Sequence, residues 1–202
     1  MRILTGALLA AGLAAPMAAQ AKTEQFTTQG YSISQSYEIA ADPQTVFDAA
    51  TGDVSGWWDH SFSRGFGMDP DEFYLEPKAG GHFIERFGDG AEVLHATVIY
   101  VKPGEALRFD GPLGFNGNAM NFVVSYKLSP TEAGTQFDVL VNISGQINEQ
   151  GAQAAAGVWD HFIGDRLKTY VEAGCHERPD EPCSAFEESG VEEGEDEGDA
   201  EQ

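Results

Sequence analysis

Trp-Asp-His occurs twice in the chain, in "SGWWDHSF" from Ser55 to Phe62 and in "GVWDHFIG" from Gly157 to Gly164. A carboxylate beside an imidazole is the raw material of a metal site or an acid/base pair, and a shared centre needs Asp59, His60, Asp160 and His161 to converge. Helical phase argues against convergence: Trp159 falls on an apolar stripe, whereas Asp160 aligns with Gly164 and Lys168, and His161 with Asp165 and Lys168, on the side expected to face water. No His-x-His or His-x-x-x-His spacing supports a metal elsewhere, so neither metal nor cofactor is expected. Phosphate-cradling glycines, a nucleophile elbow and a Cys/His pair are also missing from the sequence.

A better candidate is Glu85, which lies between Phe83 and Phe87 in "GGHFIERF". If the two aromatics point inward on a strand, so does the glutamate, and a buried carboxyl needs a partner. His95 follows across the adjacent hairpin and shares, by alternation, a face with Val93, Ile99 and Val101. Glu85 and His95 are therefore the candidate catalytic or ligand-anchoring pair. The strand around His95 is apolar on both faces, however, and a slip of one residue turns the imidazole outward. A purely structural buried pair, or a Glu85 salt bridge to Arg86 or Arg108, is the competing assignment.

The elements that must position these residues are legible from periodicity. "YSISQSYEI" places Tyr31, Ile33, Gln35, Tyr37 and Ile39 on one face of a strand. "ADPQTVFDAATG" reads as a short helix, with Asp42 as N-cap and Pro43 at the first helical position. Asp53 is expected to cap a second short helix carrying Val54, Trp57 and Trp58. Six more strands follow from Asp71 to Ser144, in "DEFYLEP", "GGHFIERF", "AEVLHATVIYVKP", "ALRFDG", "AMNFVVSYKLS" and "TQFDVLVNIS", and their close spacing implies antiparallel pairing. A long helix from about Glu149 to Ala173 closes the order, with Gly174 at its C-terminal cap. The class is α+β, with one antiparallel sheet covered by the last helix.

The rest of the chain bounds the context. Residues 1–21 carry one arginine, an apolar run from Ile3 to Ala15 and Ala19-Gln20-Ala21, the signature of a secretory signal peptide cut after Ala21. No later stretch reaches the length of a membrane span. Residues 22–174 form one domain. Residues 175–202 comprise a loop closed by Cys175 and Cys183 and an acidic disordered tail. In an oxidising compartment this pair favours a disulfide, and the alternative is three positions of a zinc shell shared with His176. The formal charge is −22, and twelve acidic residues against one arginine lie from Cys175 onward, which excludes nucleic acid and anionic membranes as partners. An exported protein, periplasmic or secreted, is the expectation; its oligomeric state is not readable.

The marks "DPQTVFDA", "WWD", "EPKAGGHFIER", "YVKPGEALRFDGPLG" and "LKTYVEAG", in this order from Tyr31 to Ala173, resemble the SRPBCC or START-like superfamily. The nearest likeness is to its polyketide cyclase/dehydrase and heat-shock-ATPase-activator-like members. That resemblance implies a helix grip: a curved seven-stranded antiparallel sheet wrapped around the last helix, with two short helices after the first strand. It also implies a cavity for apolar or amphipathic molecules. Alternation then nominates Trp57, Trp58, Phe83, Phe109, Phe122, Tyr126, Trp159, Phe162 and Tyr170 as ligand-binding residues, the alternative being that they fill a solid core. The run "GPLGFNGNAMN" is expected to be a loop at the cavity entrance. Members of the superfamily range from lipid carriers to cyclases to co-chaperones, and fold does not select among them. A cytosolic chaperone partner would be in the wrong compartment. The leading expectation is an exported protein that binds a hydrophobic small molecule or lipid; the alternatives are a cyclase- or dehydratase-like enzyme using Glu85 and His95, and a scaffold.

Overall fold

The computed structural model describes residues 25–62, 70–115 and 117–188. The expected signal peptide and most of the expected acidic tail lie outside them. The elements are β1 (Gln29–Ile39), α1 (Pro43–Ala49), β2 (Gly52–Asp53), β3 (Glu72–Leu75), β4 (His82–Arg86), β5 (Glu92–Lys102), β6 (Ala106–Gly111), β7 (Met120–Pro130), β8 (Thr135–Gly145), α2 (Glu149–Asp160), α3 (Lys168–Glu172) and α4 (Ala185–Glu188). A π-helical segment, His161–Leu167, joins α2 to α3. Every strand pairing is antiparallel, in the order β1-β8-β7-β6-β5-β4-β3-β2.

Among the described residues the sheet has eight strands rather than seven, because Gly52 and Asp53 pair with Leu75 and Tyr74 at its edge. That pairing also removes the expected second helix. Asp53 does cap, accepting from the Ser55 amide at 3.0 Å, but only a single turn follows, in which the Trp57 and Trp58 amides donate to the Val54 carbonyl. Further on, His60–Phe62 is a 3-10 turn. The first helix forms as its cap requires, with Asp42 accepting from the Gln44 and Thr45 amides.

β7 and β8 alternate strictly, so that Phe122, Val124, Tyr126 and Leu128 meet Phe137, Val139, Val141 and Ile143 on one buried face. The stripe Trp159, Phe162, Ile163, Leu167, Tyr170 and Val171 packs into the same core. Each such side chain contributes roughly 1.5–3 kcal/mol by leaving water. Cys175 and Cys183 form a disulfide. It draws Phe186 under the core, where its ring lies 3.9 Å from the Arg166 guanidinium carbon. Among the described residues, no helix is long and apolar enough to cross a membrane.

β5 departs from simple alternation. Phe83 faces Ala96 while Ile84 faces Leu94, which leaves His95 as an extra residue in a bulge. A second bulge leaves Ile99 without an opposite, between Val98 and Tyr100. Val93, His95, Ala96 and Val98 therefore all point inward, and Ile99, expected on the same face, is 50 % exposed.

Candidate functional site

A cavity of about 640 Å³ lies between the inner face of β4 to β7 and α2. This is within the range of small-molecule sites, ~300–1,000 Å³. Of the residues nominated from sequence, Trp58, Phe83, Phe122, Trp159 and Phe162 line it, together with Glu85 and His95. Trp57, Phe109, Tyr126 and Tyr170 do not. The Trp57 indole is turned into the core and donates to the Ala49 carbonyl at 2.9 Å. Phe109 and Tyr126 lie one layer behind the wall, edge to face at 5.4 Å. Tyr170 packs under the turn at Gly56, so closely that a Cβ there would sit 2.6 Å from its hydroxyl.

More of the wall comes from the run expected at the entrance, as Leu113, Gly114 and Phe115 in the turn after β6 and Met120 in β7. Sequence reasoning missed the remainder, Gln146 to Asn148 from the approach to α2, and Gly151, Ala154, Ala155 and Val158 from α2 itself. The signal was the composition of "EQGAQAAAGV": a helix with small residues toward the sheet leaves space where large ones would fill it. The part of the "GPLGFNGNAMN" run up to Phe115, with Met120, is at the wall, as an entrance loop requires.

The wall is aromatic. Trp58 stacks on Phe162 with centroids 3.8 Å apart and meets Phe83 edge-on at 5.4 Å; Phe115 stacks on Phe122 at 5.6 Å. Within it, Glu85 is 0 % exposed and His95 is 7 % exposed. Their Oε2 and Nε2 atoms are 2.9 Å apart, in hydrogen-bond contact. The imidazole is wedged against Phe73 and Phe83, centroids at 5.1 and 5.4 Å. Arg86 instead pairs with Glu72 and Glu92 at the surface, and Arg108 donates to Ser125, so neither takes the role of Glu85's ion-pair partner. Such a pair can hold a polar group of a ligand or move a proton at it.

The two Trp-Asp-His copies do meet, contrary to the helical-phase argument. His161 Nε2 lies 2.8 Å from Asp59 Oδ2, and its Nδ1 lies 3.5 Å from Asp165. Asp160 accepts from the Tyr37 hydroxyl at 2.8 Å. His161, the first residue of the π-helical segment, is part-buried where Asp59 reaches it and still faces Asp165 four residues on. Arg166, 4 % exposed, completes the clamp by donating to the Trp57 and Trp58 carbonyls at 2.8 and 3.2 Å. Among the described residues no group of three or more His, Cys, Asp or Glu side chains is placed to hold a metal. The Asp59–His161 and Arg166 contacts tie the segment that carries Trp58 to the last helix.

Burial pushes the Asp59 carboxyl up, but hydrogen bonds from Ser61 and His161 and the Arg166 charge outweigh it and hold the group below its ordinary value. A carboxyl with a depressed folded-state value contributes stability that is fully present above its unfolded value of about 3.9 and is lost as pH falls through the folded one. Urea unfolding between about pH 5 and pH 2 is expected to show the wild type losing more stability than Asp59→Asn over that interval. Equal losses would remove Asp59 from the account.

No curated protein matches the chain. Among solved structures, an AHSA1-like protein from Aeromonas hydrophila is 20 % identical with a TM-score of 0.51, covering 72 % of this chain and 95 % of that one. An uncharacterized protein from Rhizobium leguminosarum is 14 % identical, also with a TM-score of 0.51, covering 72 % and 97 %. At such identities the likeness is one of fold. The family model for "Activator of Hsp90 ATPase homolog 1-like protein" matches residues 40–172, from the end of β1 to the end of α3. With its sheet, its last helix and the intervening cavity all within the helix-grip pattern, the chain belongs to the Activator of Hsp90 ATPase homolog 1-like family.

Proposed function

We propose that this chain is an exported binding protein for a hydrophobic small molecule or lipid, held in the cavity between sheet and α2 and anchored at one polar point by Glu85 and His95. The observation that carries the reading is an aromatic cavity of ligand size with a buried carboxyl–imidazole pair in its wall. Export is supported by the Cys175–Cys183 disulfide and by the signal-like first 21 residues.

The test is saturable binding of phenylnaphthylamine, an uncharged fluorescent probe, by the purified chain, alongside mass spectrometry of small molecules extracted from it. Ala155, half-buried on α2 at the cavity, is the place to fill it. Ala155→Trp is expected to weaken the probe at least about tenfold while leaving the circular dichroism unchanged. A wild type that binds no probe and carries no extractable ligand, or a filled variant that binds equally well, would falsify the reading.

A second reading is favoured by the same pair: a cyclase- or dehydratase-like activity in which His95, oriented by Glu85, moves a proton at a polar atom of an apolar substrate. It differs from the first in predicting product formation.

A further inference from the structure

Three separate features converge on the backbone of His95. Residue His95 is the extra residue of the β5 bulge, opposite no residue of β4. Its carbonyl accepts from the Leu113 amide at 2.9 Å. Gly111 stands so close behind it that a Cβ would lie 2.3 Å from the His95 carbonyl oxygen and 2.5 Å from the Ala96 Cα. Both obstacles are backbone, so no side chain can step aside. Leu113 itself has a φ of 45°, and among the described residues it is the one non-glycine residue with positive φ. For leucine this conformation is strained, and such strain persists only where the surroundings enforce it. The side chain of the strained residue lines the cavity.

We infer that the Gly111–Leu113 turn is a positioning element for His95: it locks the bulge that turns the imidazole onto Glu85 and into the cavity wall, and Leu113 links that lock to whatever fills the cavity. Without the bulge, strict alternation makes His95 and Ala96 point to opposite faces, and only one of them could face inward. Gly111 and Leu113 are thus positioning residues, and the inference rests on the proposed role of the Glu85–His95 pair.

The experiment is nuclear magnetic resonance of the imidazole nitrogens of the intact protein, with the His95 signals identified by their loss in His95→Gln. Gly111→Ala is expected to shift or broaden the His95 signals and to weaken phenylnaphthylamine at least about tenfold. Gly104→Ala, at a positive-φ glycine remote from the bulge, is the control for general backbone cost. It is expected to lower the melting temperature while leaving the His95 signals in place. If Gly111→Ala keeps the wild-type His95 signals and probe affinity, the inference is overturned. Should Gly111→Ala not fold, Leu113→Gly, which relieves the strain and keeps the amide, is read instead. Exchange of that amide with solvent is expected to accelerate at least about tenfold with broadening of the His95 signals; unchanged exchange and signals overturn the inference. A wild type that binds no probe sinks the binding role alone, because the imidazole signals report on positioning without any ligand.

Discussion

Glu85→Ala is expected to lower the free energy of unfolding by about 3 kcal/mol, and Glu85→Gln by about 1 kcal/mol. The glutamate is fully buried and in contact with His95, so alanine leaves a void and deprives a buried imidazole of that contact. Glutamine keeps the shape and an acceptor oxygen but loses the strength that an acidic partner gives a hydrogen bond. Chemical denaturation of the three proteins reads the stability series. The functional readout separates the two proposed roles. If the pair anchors a ligand, Glu85→Gln lowers probe or ligand affinity, by about tenfold for the loss of one charge-assisted contact. If it moves protons, the same variant lowers turnover by about 10²–10⁴-fold with a smaller change in binding. Unchanged fold, binding and turnover in Glu85→Gln would leave the pair as a structural detail of the wall.

The second large effect is expected at Arg166. Arg166→Met retains much of the apolar stem but strands the Trp57 and Trp58 carbonyls and removes the cation from above Phe186. Buried acceptors deprived of their donor cost about 1–3 kcal/mol each, and a desolvated cation–π contact about 2 kcal/mol, so a loss of at least about 4 kcal/mol is expected in urea unfolding. Arg166→Lys is not a rescue, because an ammonium cannot bridge two carbonyls and stack flat on a ring at once. The loss should reach the cavity as well. Trp58 is held at its backbone by Arg166 and at its ring by Phe162, and releasing the first loosens the second. A variant within about 1 kcal/mol of wild type would show that water replaces the guanidinium at both carbonyls.

What could be read from sequence follows from where the chain is regular. β7 and β8 keep a period of two for their full length, so their inward residues were legible one by one. Glu85 was legible for the same reason, flanked by two phenylalanines on a short strand. His95 was reached with only part of the correct face, since two bulges shift the phase of β5 and send Ile99 outward. Bulges leave no composition mark in "AEVLHATVIYVKP"; the nearest signal was a glycine at 111, whose contact partner is distant in sequence. The depth of each aromatic was not legible either. Trp57 and Trp58 are adjacent and alike, and only the turn on Val54 decides that one faces core and the other cavity. The contact between Asp59 and His161 was hidden because it joins an irregular turn to a helix 102 residues away in sequence.

That π-helical segment has a consequence for how the molecule can vary. A continuous α-helix has one phase, so changing which residues face the sheet at its start also rotates its end. Here the widened turns from His161 to Leu167 offset the phase of the downstream stretch from that of the upstream one, like two shafts joined at a fixed angle. The upstream shaft presents Ala155 and Val158 and sets the room available, while the downstream shaft presents Tyr170 and Val171 and fixes the helix to the core. The residues that set the cavity volume and those that anchor the helix therefore lie on separate stretches of it.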